Sequence, residues 1–397
     1  MRRNDFDTWR RRYATLGRGR LANAIRHLIF HADEQLFDTL DFEDESQFLA
    51  PLLFAHFTDT ERTVQLQQIL YGAIPPGGRP ETIKLLTNSV GRAGLGGFGL
   101  LETALPDADV TFGRDTDGRF ACMTGTRAAP FRIRPPVQVP GTRIEVVTDI
   151  SPLLLRFFDP ANDPEALRVP PHRVTHVLLA LGLIRQHCPA EWAEIIAHVR
   201  LIVLFRAASP NSFATKSAHG AIFCNLGDDE DEIALLEDVA HQAGHVVCNA
   251  FCQEPMRIFT IDPETPLNQF HDDPRDTRTI NVAFQALFTY VLITRVLTKI
   301  HDAGRLPEQQ AHEVLGRLGF TMLKFRMDLK RLAVPDAYAP AGWRCITGCQ
   351  AECDQVHARY EPLVGLFQYD NQPYTFDYER FVERNGGPWQ AASGMAL

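Results

Sequence analysis

Residues 229–252 read DEDEIALLEDVAHQAGHVVCNAFC, and the spacing inside this stretch decides what the fold is built around. At 100° per residue Leu236, Val239, Ala240, Ala243, Val247 and Ala250 gather on one side, as the stripe of a core-facing helix does. The acidic run Asp228, Asp229, Glu230, Asp231 and Glu232 stands at its start, where negative charge suits the positive end of the helix dipole. His241, His245, Cys248 and Cys252 gather on roughly the opposite side. Cysteine is among the most buried residue types, so the helix is expected to be covered on both sides, with its histidines facing an interior site.

Histidines four residues apart lie one turn apart on one helix face, the way a helix offers two nitrogen ligands to a single metal ion. Gln242 follows the first histidine, where a zinc peptidase of the HExxH type carries a glutamate base. An amide takes no proton from metal-bound water, so a zinc hydrolase would need Glu237 or Asp238 in its place. The plainer alternative is two histidines held by local hydrogen bonds. Cys248 and Cys252 do not complete a four-ligand site, because a helix rises about 16 Å between His241 and Cys252; they are expected to be packing residues.

The chain has 397 residues, 45% of them hydrophobic, enough for a large core and for two or three domains. A net charge of -9 argues against broad binding to nucleic acid. The basic start Met1-Arg2-Arg3 is mixed with Asp5 and Asp7 and leads into no apolar segment, so no secretion signal is expected. No apolar run approaches about 18 residues, so no membrane span is expected either. Eight cysteines then read as reduced thiols, and the expected location is the cytoplasm.

Helical spacing of Trp9, Tyr13, Leu21, Ile25, Leu28 and Ile29 predicts helix within residues 1–72. The glycine-rich stretch Gly91–Gly99 lacks the order of a phosphate loop and reads as a loop or tight packing turn. Short strands are expected at Asp109–Phe112, Phe120–Thr124 and Arg143–Val147. Pro135, Pro136 and Pro140 mark the expected boundary between a mostly helical N-terminal region with short strands, 1–140, and an HxxxH-bearing helical domain, 141–397. Beyond it, Val174–His187 and Glu191–Phe205 read as two helices, and Gly220–Asn225 as a short strand.

Thr279–His301 is apolar around nearly its whole circumference, so it is expected to be a buried helix. Asn281, Gln285 and Thr289 nevertheless recur at i, i+4 and i+8 as a polar stripe that needs partners. Just before it, His271, Asp272, Asp273, Arg275 and Arg278 combine metal-ligand and carboxylate-binding chemistry, or form a solvated charged loop. Cys345, Cys349, Cys353 and His357 repeat at i, i+4 spacing; on an unbroken helix they span about 18 Å and cannot close around one ion, whereas a break at Gly348 would allow a metal site.

From about residue 170 to 296 the motifs AEIIAHVRLIVLF, SFATKSAHGAIF, LLEDVAHQAGH and DDPRDTRTINVAFQALF follow one another in an order that resembles the HExxH-type, 2-oxoglutarate-dependent peptide β-hydroxylases of modified-peptide biosynthesis. The resemblance covers about a third of the chain. It implies that His241 and His245 are similar to the family's two iron ligands, and that Arg278 matches the arginine opening its later motif. Gln285 stands where that family has a histidine, its third ligand, and Gln242 replaces the HExxH glutamate. An amide oxygen is a weaker ligand than imidazole, so His271, Asp272 or Glu237 would have to substitute for full affinity.

The expectation is therefore an α+β protein, mainly α with a small β element, with a metal site between buried helices. Its expected activity is that of an Fe(II)- and 2-oxoglutarate-dependent oxygenase. His241 and His245 would hold iron, with Gln285 or His271 as third ligand. Arg278, or else Arg275, would pair with the cosubstrate carboxylate through a bidentate contact. The resemblance alone implies a peptide or amino-acid substrate, such as a ribosomal precursor peptide. A zinc hydrolase and a peptide-binding relative that has lost its metal are the alternatives.

Overall fold

The computed structural model describes residues 3–60, 64–115, 117–159, 167–170, 172–227 and 231–387. Met1 and Arg2 of the basic start and Asp228, Asp229 and Glu230 of the acidic run lie outside the described residues. The fold is α+β, as its composition of long helices and small sheets requires. Two compact units interleave along the chain: Gly19–Pro170 with Val199–Leu226, and Met1–Arg18 with Pro171–His198 and Gly227–Leu397. These limits differ from the single boundary expected at residue 140, because each unit is assembled from segments distant in sequence.

Helix α1 (Arg3–Ala32) contributes to both units. The first-named unit adds the short helices α2 (Glu34–Asp38), α3 (Pro51–Phe57), α4 (Leu66–Ile69) and α5 (Pro152–Leu155). Strands β1 (Thr82–Leu86), β4 (Asp109–Arg114), β5 (Phe120–Thr124) and β6 (Arg127–Ala128) form one antiparallel sheet. Strands β2 (Arg92–Leu95), β3 (Gly99–Thr103) and β7 (Phe131–Arg134) form a second. The glycine-rich stretch is thus a β-hairpin rather than a loop. Gly97 and Gly99 take φ of 65° and 145° at its turn, angles open to glycine and costly for other residues. Alternating side chains such as Ile83, Leu85, Leu101, Val110 and Phe112 meet in a common core.

The third sheet runs β11 (Ala221–Asn225), β10 (Leu201–Phe205), β9 (Glu145–Val147), β8 (Val137–Gln138), with β10 parallel to both neighbours. All five residues of β10 are buried. This corrects the helix expected over Glu191–Phe205: helix ends at His198, and LIVLF is a strand buried on both faces. A continuous apolar run suits a parallel strand covered on both sides as well as it suits a buried helix.

The second-named unit is helical: α6 (His172–His187), α7 (Pro189–His198), α8 (Glu232–Phe251), α9 (Ile280–Asp302), α10 (Glu308–Arg331), α11 (Pro340–Val364) and α12 (Tyr378–Asn385). The Asp231 carboxylate caps α8 by accepting from the Ile233 and Ala234 N–H groups at 2.9 and 3.1 Å, and the Thr279 hydroxyl caps α9. Helix α9 packs on both α8 and α10. By length and composition α9 is apolar enough to cross a membrane, which departs from the expectation that no such segment exists; 72% of its apolar window is buried within the protein. Arg295 on α9 is 1% exposed and forks onto Glu352 at 2.8 and 3.0 Å, with Asp7 at 2.6 Å.

Helix α11 runs unbroken through Gly348, whose missing side chain leaves room for Phe6; a Cβ there would stand 2.2 Å from the Phe6 ring. Cys345, Cys349 and Cys353 are buried along it, while His357 pairs with Glu361 at 3.0 Å.

Candidate functional site

His241 and His245 lie side by side on α8, their ring centroids 5.1 Å apart and their planes 28° from parallel. Both rings are only partly covered. Gly244 lets α9 approach α8 beside them: a Cβ at this position would stand 2.6 Å from Thr289 Cα and 3.0 Å from Thr289 N, inside any normal contact distance. The close approach brings the polar stripe of α9 to the histidines. Gln285 hydrogen-bonds the His245 ring, Asn281 lies 3.5 Å from Glu264, and the Thr289 hydroxyl donates to the Ala286 carbonyl of its own helix. Of the stripe, then, Gln285 is the member that meets the histidine pair, one turn before the contact at Gly244.

Burial holds both imidazoles neutral. His241 is lowered to about 3 by burial first, then by His245 and the Lys324 ammonium. His245 is lowered to about 4 by burial, with the Gln285 hydrogen bond working in the other direction. Neutral imidazole is the form that ligates a metal.

The remaining candidates are placed differently. His271 does not join the pair: its Nδ1 accepts from the Asp273 N–H at 3.2 Å, and its Nε2 stands 3.8 Å from Asp276. Among the described residues no group of three His, Cys, Asp or Glu side chains could hold one metal ion, so His271, Asp272 and Glu237 do not supply the third ligand. Glu237 is instead tied to Arg317 at 2.7 Å. Gln242 turns away towards Asp238, at 3.2 Å. The structure thus unites His241, His245 and Gln285 and leaves His271 outside.

Arg278 is a carboxylate binder, but its carboxylates are the protein's own. Its Nε and Nη2 donate to Asp276, both at 2.9 Å, and Nη1 and Nη2 donate to Asp328 at 3.0 and 2.7 Å. Two bidentate contacts use four of the five guanidinium N–H donors. Asp328 also accepts from the Tyr290 hydroxyl at 3.0 Å. Arg275 is 90% exposed and pairs with Asp273 at 3.2 Å. Arg278 is committed to the protein's own carboxylates and locks the start of α9 to α10.

Sequence reasoning passed over Lys324 on α10. Its charge is felt at His241, and it lines a cleft of about 460 Å³ with Arg278, Tyr290, Met327, Asp328 and Tyr374. A neighbouring cleft of about 540 Å³ holds His271, Asp272 and Lys330, and the two share Asp273, Arg275, Met327 and Arg331. No local pattern marks Lys324, because its neighbours come from α8, α9 and the segment before α12. No protein-family model matches the chain and no curated protein is similar to it, so its likeness to the peptide β-hydroxylases rests on the motifs quoted above.

Proposed function

We propose that the chain is a non-haem Fe(II)- and 2-oxoglutarate-dependent oxygenase acting on a peptide or amino-acid substrate, such as a precursor peptide in natural-product biosynthesis. One observation carries this reading: the two adjacent imidazoles of α8 meet the Gln285 amide of α9, and the resemblance to the hydroxylases puts their third ligand at Gln285. Two imidazole nitrogens and an amide oxygen suit a borderline first-row ion, although they bring it no negative charge. His241, His245 and Gln285 would hold the iron, which when bound supplies oxygen activation at positions the protein leaves open. The chain's own part is to keep both rings neutral by burial.

A second reading, a metal-free peptide-binding relative, is favoured by the Lys324 ammonium near His241, since a cation opposes a second cation there. Turnover separates the two. Protein purified without oxygen, loaded with Fe(II) and given 2-oxoglutarate and oxygen, should release succinate, and the His241→Ala variant should not. Failure to take up Fe(II) stoichiometrically, with no succinate formed in the presence of candidate peptides, would leave the binding reading standing.

A further inference from the structure

The arginines on and near the Lys324 cleft each pair with a carboxylate of the protein, exposed Arg275 with Asp273 through Nε alone. Arg278 takes Asp276 and Asp328, Arg317 takes Glu237 and Glu313, and Arg331 takes Asp273 and Asp276. Lys324 differs. It is half-buried, its ammonium lies 4.6 Å from the Phe320 ring centre and 4.4 Å from that of Tyr374, and it donates to the Tyr374 carbonyl. Among the described residues no carboxylate stands within ion-pair distance of it; Glu237 and Asp328 act on it only from farther off, and Arg278 opposes it.

An ammonium has three donors, and one carbonyl uses one of them. Two aromatic faces stabilise the charge but accept no strong hydrogen bond. A cation taken partly out of water, with donors the protein does not use, can take an anion, and the cleft gives it an approach.

We propose that Lys324 is the anchor for a ligand carboxylate, holding an acidic cosubstrate or an acidic substrate side chain beside His241. This rests on the reading of the histidine pair as the reacting centre, and it moves the carboxylate-binding role from Arg278, which is committed to Asp276 and Asp328, to α10. The same chemistry admits two sources, a free 2-oxo acid or an Asp or Glu of a peptide. A carboxylate on Lys324 also neutralises the charge that opposes a metal ion at the histidines, so acid and metal should favour each other's binding.

The test uses the full chain freed of metal with a chelator. Calorimetric titration is made with 2-oxoglutarate, and separately with a blocked pentapeptide carrying one aspartate and with its asparagine counterpart. At least one acid should bind. Lys324→Met and Lys324→Gln should each weaken it at least tenfold, Lys324→Arg should retain most of the affinity, and the asparagine peptide should fail in every case. Whichever acid binds identifies the source. Failure of both acids to bind, or equal binding by the Lys324→Gln variant with its circular dichroism unchanged, overturns the anchor. Lys324-dependent acid binding by a protein that takes up no Fe(II) would leave the anchor and remove the oxygenase. Fe(II) uptake without Lys324-dependent acid binding would do the reverse.

Discussion

Replacing Gly244 by alanine sets two opposed effects against each other, and the geometry decides the sign. Alanine in a helix interior is favoured over glycine by about 1 kcal/mol. At Gly244 the added Cβ would stand 2.6 Å from Thr289 Cα, 3.0 Å from Thr289 N and 3.1 Å from the Phe288 carbonyl oxygen. All three are backbone atoms of α9, so no side chain can rotate away. Relief needs α8 and α9 to separate by roughly 1 Å, and such overpacking costs about 1–3 kcal/mol, occasionally more. The expected net loss is about 0–2 kcal/mol, accompanied by loss of the Gln285–His245 hydrogen bond. Gly182 on α6 provides the control: it is exposed, and a Cβ there meets nothing within 4 Å. Gly182→Ala should therefore stabilise by about 0.5–1 kcal/mol. Urea denaturation followed by circular dichroism reads both variants. A Gly244→Ala midpoint at or above that of Gly182→Ala would refute the close helix contact that brings Gln285 to the histidines.

Arg295→Met should cost about 3–5 kcal/mol in urea denaturation, because it leaves Glu352, itself 1% exposed, buried without its cation. The double variant Arg295→Met, Glu352→Met should recover most of that loss; no recovery would mean that the guanidinium does more than neutralise its partner. Both site histidines have folded pKa values below the ordinary value near 6.5, so the unfolded chain binds their protons first as the pH falls. Their contribution is intact above about 6.5 and lost as the pH descends towards about 4 and then about 3. Because both rings stay partly exposed, this amounts to about 1–2 kcal/mol each rather than the full shift. A His241→Leu variant should lose less stability than the parent between pH 6 and pH 4; parallel curves would contradict the lowered His241 value.

Local signals located the central helices well. The acidic residue before EIALLED and the threonine before INVAF both cap helices, and the expected span Thr279–His301 differs from α9 by one residue at each end. The i, i+4 spacing placed the imidazoles side by side, and the resemblance pointed to Gln285, which meets them. Two kinds of information were not local. Leu201–Phe205 became a strand because β9 and β11, from distant segments, offer parallel partners; its apolar run carries no mark of that pairing. Arg278 lost its ligand-binding role to Asp328, fifty residues on, and Lys324 gained prominence because the surrounding arginines found carboxylates while it did not. Ion pairing across a fold cannot be read from charge order along the chain.

His241, His245 and Gln285 are proposed to form one metal centre. Its most direct measurement is equilibrium binding of Co(II), followed by its visible absorption, to the parent chain and to three variants. The account predicts one ion per chain with nitrogen-ligand spectra, loss of the site in His241→Ala and in His245→Ala, and tighter binding in Gln285→His. Binding that survives either alanine substitution, or no stoichiometric binding even in Gln285→His, would contradict it.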